Sequence, residues 1–172
     1  QGLTMTPLDA LPEPRTPDRY RIAVVCLGNI CRSPTAHVVL EHKIAEAGLA
    51  DVVEVTSSGT ANWHTGKPMD HRSAAALTGA GYDPTRHRAA HYTGPGDLDL
   101  VLVMDESNLA DVGGRTARLG MFRDFDPVDP GSAVPDPYYG GDDGFGEVLD
   151  MVERTSTAIV SALRETLRPG AG

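Results

Sequence analysis

A chain of 172 residues with ordinary globular composition is long enough to form one domain around its own core, without disulfides or metals to staple it. Its formal charge of −9, from 15 basic and 24 acidic residues, argues against nucleic acid or an anionic membrane as the main partner. No apolar run reaches the roughly 18–20 residues of a membrane span and no secretory pattern opens the sequence, so no membrane insertion and a cytoplasmic setting are expected, with leaderless export left open.

Residues 1–19 contain Pro7, Pro12, Pro14 and Pro17 with little periodicity, and read as a proline-rich N-terminal tail. Residues 20–172 then read as a single domain in which strand and helix patterns alternate. Residues 22–26 form an apolar strand. A helix follows over residues 34–49, with Ala36, Leu40, Ile44 and Ala47 on one face, and Ser33 and Pro34 suit its N-cap and first position. A second strand is expected at 52–57 and a short helix at 70–78, closed by Gly79 and Gly81. The apolar run 98–104 suits a strand covered on both faces. A short helix at 106–112 and a short strand at 118–122 follow. Phe145, Leu149, Val152, Ile159, Leu163 and Leu167 make the stripe of a final helix, stopped by Pro169-Gly170. This alternation predicts a three-layer α/β fold, a four-stranded parallel sheet with helices on both faces. Ligands bind beyond the carboxyl ends of strands in such sheets, where the loop after the first strand lies.

That loop, Cys26-Leu27-Gly28-Asn29-Ile30-Cys31-Arg32-Ser33-Pro34, carries the chemistry. A cysteine and an arginine flank five residues, a spacing that can wrap backbone N–H groups around a tetrahedral anion above a thiolate. A free thiol near pH 7 is mostly protonated. A helix N-terminus, the Arg32 charge and a Ser33 hydroxyl would each stabilise the thiolate form of Cys26. The same groups would hold a phosphate dianion, and the arginine fork grips two oxygens at once. Gly28 allows close backbone approach, and Asn29 tolerates a left-handed conformation. Inorganic phosphate or another oxyanion is therefore an expected ligand. Cys26 and Cys31 are the only cysteines, too few for a disulfide framework and a poor zinc site. No metal or other cofactor is called for. A second Gly-rich stretch, 59–67, lacks the spacing of a nucleotide loop and has Pro68 in place of Ser or Thr. His87 and His91 lack the glutamate of a zinc-protease pair. His37 reads as a solvated helix surface.

Residues 26–34 resemble the signature of the low-molecular-weight protein tyrosine phosphatases. Asp136-Pro137-Tyr138-Tyr139-Gly140 resembles their acid loop, and Ser57-Ser58-Gly59-Thr60 with Trp63, and Met104-Asp105-Glu106-Ser107-Asn108-Leu109, follow the family order. The resemblance spans about residues 20–168. It implies that Cys26 attacks phosphorus and forms a cysteinyl-phosphate intermediate. Arg32 then clamps the phosphoryl oxygens, and Asp136 acts as general acid and then base. Leu27, Gly28, Asn29, Ile30 and Cys31 form the phosphate loop. Ser33 steadies the thiolate, Ser57 and His87 support Asn29, and Trp63, Tyr138 and Tyr139 wall the cleft. The residues alone do not select Asp136, since Asp124, Asp126 and Asp129 lie in the same stretch. Ile30 is typical of the tyrosine-directed members, whereas relatives acting on phosphoarginine typically carry threonine there. The substrates implied are phosphotyrosine-containing proteins, with a bacterial tyrosine kinase as candidate partner. Two other readings compete. An arsenate reductase of the same fold needs a resolving cysteine, and no cysteine follows Cys31. A redox-regulated phosphotyrosine-binding module could pair Cys31 with Cys26, but such a binder has no need of both Cys26 and Asp136.

Overall fold

In the computed structural model the residues described are 6–138 and 143–167. Four parallel strands, β1 (Tyr20–Cys26), β2 (Val53–Gly59), β3 (Leu100–Val103) and β4 (Leu119–Met121), form one sheet in the order β2-β1-β3-β4. Helices α1 (Arg32–Glu46), α2 (His71–Gly79), α3 (Glu106–Asp111) and α4 (Asp143–Thr166) connect or follow them, with a 3-10 turn at Phe122–Phe125. The strand order reverses direction at β1, so the loop leaving β1 opens at the crevice where α/β sheets bind ligands.

Strand alternation sorts the core into two layers. Ile22, Val24 and Cys26 face one side, where they meet Val39 and Leu40 of α1 and Val152, Ile159 and Leu163 of α4. Ala23 and Val25 face the other with Val101, Val103 and Met121, covered by Leu109 of α3 and Val112 just after it. The three-layer sandwich expected from the alternating pattern is the one formed.

Boundaries move by a few residues for identifiable reasons. Helix α1 starts at Arg32, with Cys31 as its N-cap and no side-chain cap. The expected cap, Ser33, instead sits inside the first turn with its hydroxyl beside Cys26 Sγ. Pro34 is tolerated one turn in because the first N–H groups of a helix have no intrahelical partner. The helix ends at Glu46, short of residue 49, because Gly48 takes a φ of 77° and returns its N–H to the Ala45 carbonyl. Asp70 caps α2 through the N–H groups of Arg72 and Ser73, and Asp105 forms a capping box with Asn108 at α3. The expected stop of the last helix at Pro169-Gly170 lies outside the described residues.

The proline-rich segment lies against the domain. Leu11 is buried in the main core, and Leu8 packs so near Gly120 that a Cβ there would meet it at 2.7 Å. Polar contacts fasten it as well. Leu8 donates its N–H to Asp124 (3.0 Å), Arg15 donates its N–H to Asp99 (2.7 Å), and the Tyr20 hydroxyl donates to the Pro12 carbonyl (2.8 Å). Among the described residues no helix is long and apolar enough to cross a membrane.

Candidate active site

The loop between β1 and α1 is held open by a non-glycine residue in a left-handed conformation. Asn29 has a φ of 58° and is fully buried. Each of its polar groups has a partner. Its side chain donates to Ser33 Oγ (2.8 Å) and accepts from the Ala90 N–H (2.8 Å). Its own N–H points at Cys26 Sγ (3.3 Å), and its carbonyl accepts from His87 Nε2 (2.8 Å). A carbonyl only accepts, so His87 carries its proton on Nε2. Burial pulls the His87 pKa below its ordinary value, against the opposing pull of the Asn29 bond.

Gly59, at the end of β2, permits the other wall. A Cβ there would meet the Leu27 carbonyl at 2.6 Å and Asn29 Cβ at 3.2 Å. Without one, Thr60 and Ala61 donate their N–H groups to the Cys26 and Leu27 carbonyls (2.9 and 3.0 Å). Ser57 belongs to the same strand, opposite Val24, but among the described contacts its hydroxyl does not reach the loop. The Ser58 carbonyl instead accepts from Ser33, at 3.4 Å. Expected loop support from Ser57 is thus replaced by the backbone of its neighbour.

Cys26 Sγ sits at the floor of the loop with Ser33 Oγ at 3.0 Å. Asn29 donates to the Ser33 oxygen, and the single Ser33 hydroxyl proton lies between two acceptors, the sulfur at 3.0 Å and the Ser58 carbonyl at 3.4 Å, of which the sulfur is the nearer. Arg32 is almost wholly buried. Its Nη1 donates to Asp105 (2.6 Å) and to the Val134 carbonyl (3.1 Å), which fixes the guanidinium plane from behind. Its Nη2 faces Asp136 Oδ2 at 3.6 Å, and the other Asp136 oxygen accepts the Tyr138 N–H (3.0 Å). Asp105, named in sequence only as part of the 104–109 family segment and given no role there, is thus the residue that holds Arg32. The pattern Asp105-x-x-Asn108 by itself speaks only of a helix end.

Three neighbouring acids are committed elsewhere. Asp124 is locked to Arg115 in a two-point pair (2.6 and 2.9 Å). Burial alone would raise the Asp126 carboxyl, but Arg154, the Val128 N–H and Arg123 outweigh it and hold it well below the usual carboxylate range. Asp129 lies 3.8 Å from Arg123. Of these four, Asp136 lines the cleft.

The cleft has a volume of about 270 Å³, with Cys26 and Arg32 at its base and Trp63, His64 and Tyr138 around its mouth. Trp63 is 67% exposed, the surface position expected of a rim residue. His64, unremarked in the sequence, lies so near Gly28 that a Cβ there would meet its ring at 3.1 Å. Tyr139 lies outside the described residues. Cys31 is buried behind the loop, and burial pushes its thiol up to about 12, so at neutral pH it stays protonated beside Ser73. A larger groove, about 660 Å³, lies between α1, β2 and the 82–87 loop. His37 lines it and pairs with Glu41 at 3.4 Å, partly buried where a solvated surface was expected. It holds neither cysteine, so the smaller cleft is the chemical one. Among the described residues no cluster of His, Cys, Asp or Glu is arranged to hold a metal.

The profile of the low molecular weight phosphotyrosine protein phosphatase family matches residues 21–168. The chain belongs to this family. A low molecular weight protein-tyrosine-phosphatase of Streptomyces coelicolor is 42% identical over 156 residues, covering 85% of this chain and 94% of that one. Low molecular weight protein-tyrosine phosphatase A of Mycobacterium tuberculosis is 43% identical over 143 residues, covering 79% and 86%. Among solved structures, a protein tyrosine phosphatase of Entamoeba histolytica superposes with a TM-score of 0.79 at 29% identity, covering 85% of this chain and 97% of that one. The phosphatase is accordingly a hydrolase of phosphotyrosine in proteins, built on the fold these relatives share.

Proposed function

We propose that the phosphatase works through a cysteinyl-phosphate intermediate with Cys26 as nucleophile, Arg32 as phosphoryl clamp and Asp136 as general acid and base. One observation carries this reading. Cys26 Sγ, the uncapped N-terminus of α1 and the Arg32 fork converge on one small cleft, and Asp136 faces that fork at 3.6 Å. The Cys26 thiolate attacks phosphorus in line as the bond to the tyrosyl oxygen breaks. Asp136 gives that oxygen its proton. The Asp136 carboxylate then takes a proton from water, whose oxygen attacks phosphorus and releases inorganic phosphate and the Cys26 thiolate. The loop N–H groups and Arg32 bind the equatorial oxygens throughout, where transition-state charge is spread. Charge stabilisation therefore comes from the protein alone, without metal.

Leu27, Gly28, Asn29, Ile30 and Cys31 supply the phosphate loop, Ser33 steadies the leaving thiolate, and His87 braces Asn29. The aromatic rim of Trp63 and Tyr138 suits a phenolic leaving group. We place the enzyme, residues 20–172 as one catalytic unit, in the cytoplasm, where thiols stay reduced, acting on the products of a tyrosine kinase. A panel of phosphotyrosine, phosphoserine, phosphoarginine and sugar phosphates on the purified protein tests the substrate class. The phosphotyrosine peptide should exceed the others in kcat/KM by at least about a hundredfold. Comparable turnover of phosphoarginine would refute it.

A further inference from the structure

The first turn of α2 touches both halves of the site. Asp70 donates its N–H to the Ile30 carbonyl (2.9 Å), and the Ser73 side chain hydrogen-bonds the Cys31 thiol, so this turn is anchored to the phosphate loop. Between those anchors stands Arg72. Its Nη2 donates to the Tyr138 carbonyl at 3.1 Å and lies 3.4 Å from Asp70 Oδ2. Its guanidinium carbon stands 5.3 Å from the centre of the Tyr138 ring and 4.6 Å from that of Phe145, at the start of α4. Cation–π contacts of this kind add to the hydrogen bond. Arg72 thus grips residues on either side of the 139–142 stretch. The Tyr138 N–H that it helps to position is the one holding Asp136 Oδ1.

We infer that Arg72 is a positioning residue: it clamps the Asp136 loop to the phosphate loop through α2 and so sets the distance from the acid to the leaving oxygen. This rests on the reading of Asp136 as the acid. A lysine can donate one bond to the Tyr138 carbonyl but lacks the flat surface that lies against two rings. General acid catalysis is sensitive to placement at the scale of an ångström. The clamp should therefore matter in proportion to how much the leaving group needs a proton.

The test compares wild type, Arg72→Leu, Arg72→Lys, Asp136→Asn and the Arg72→Leu/Asp136→Asn double variant. Each is assayed with phenyl phosphate, a poor leaving group, and p-nitrophenyl phosphate, a good one. Inhibition by inorganic phosphate reports on the phosphate loop. Arg72→Leu should lose about tenfold or more in kcat/KM on phenyl phosphate beyond its loss on p-nitrophenyl phosphate. Arg72→Lys should recover part of that loss, and phosphate inhibition should stay within about twofold of wild type. In the Asp136→Asn background, Arg72→Leu should add no leaving-group-selective loss, because the two act as a unit. Equal losses on both substrates, or phosphate inhibition weakening in step with activity, would overturn the clamp and leave Arg72 a structural residue. If Asp136→Asn shows selectivity and Arg72→Leu shows none, the clamp alone fails. If Asp136→Asn itself shows none while wild type turns over normally, the acid assignment fails and the clamp with it.

Discussion

Asn29 holds a left-handed backbone at the centre of the phosphate loop through Ser33, His87 and the Ala90 N–H. An asparagine in a Gly-Asn pair before a helix suggests a left-handed turn, and the φ of 58° matches. The partners that hold it, His87 and the Ala90 N–H, lie far away along the chain, and only the family pattern pointed to His87. The role of Asp105 was illegible for a related reason. Its capping role explains the residue fully in one dimension, and its grip on Arg32 exists only once β3 lies beside β1. His87 gives a pH prediction. Burial lowers its pKa, so the unfolded chain takes up the proton first as pH falls. The stabilisation from neutral His87 is fully present above its unfolded value of about 6.5 and is lost as pH drops from there through the folded value. In urea unfolding, the stability gap between wild type and His87→Gln should narrow as pH is lowered through about 6.5. Parallel stability curves would contradict it.

At the level of elements, most of the pattern was visible because periodicity survives without knowledge of neighbours. Strands β1 and β3 are apolar runs, and α4 carries an unbroken stripe. Ends were less visible, since they depend on what the end is used for. The first turn of α1 leaves its N–H groups uncapped, which locally looks like a defect. An anion in the cleft would satisfy them. The end of β2 is likewise fixed by function: Gly59 lets two strand-loop connections touch. Gly59→Ala should push the Leu27 carbonyl outward and weaken phosphate inhibition by about tenfold or more, with a much smaller effect on global unfolding. Unchanged phosphate inhibition would mean that the contact is not coupled to the loop.

For the whole molecule, the segment before β1 is the part composition misdescribes. Among residues 6–19 no helix or strand forms beyond the isolated bridge between Thr16 and Arg19. Yet proline and the neighbouring apolar residues also make a stiff strip that can be laid along a surface at small entropic cost. Leu8 and Leu11 reach the core, and Asp99 and Asp124 take backbone N–H groups from the segment. Removing residues 1–12 should lower unfolding free energy by about 1.5–3 kcal/mol from loss of the Leu11 side chain alone, while leaving phosphate inhibition unchanged. A truncated protein as stable as the full chain would show the docking to be energetically idle. The net negative charge also fits the design of the site. Against a net charge of −9, an anion in the cleft would rely on local groups, the Arg32 guanidinium and the N-terminus of α1.

In the proposed mechanism phosphate passes through Cys26 on its way to water. Rapid acid quenching of the enzyme during turnover of a phosphotyrosine peptide, followed by peptide mass analysis under conditions that preserve thiophosphate, tests it most directly. One phosphoryl group should appear on the peptide containing Cys26 and Cys31 and be assigned to Cys26 by fragmentation; with p-nitrophenyl phosphate, whose leaving group needs little protonation, it should accumulate further in Asp136→Ala, which lacks the base for the second step. A phosphoryl group on any other residue, or none at all during steady turnover, would rule out Cys26 as the nucleophile.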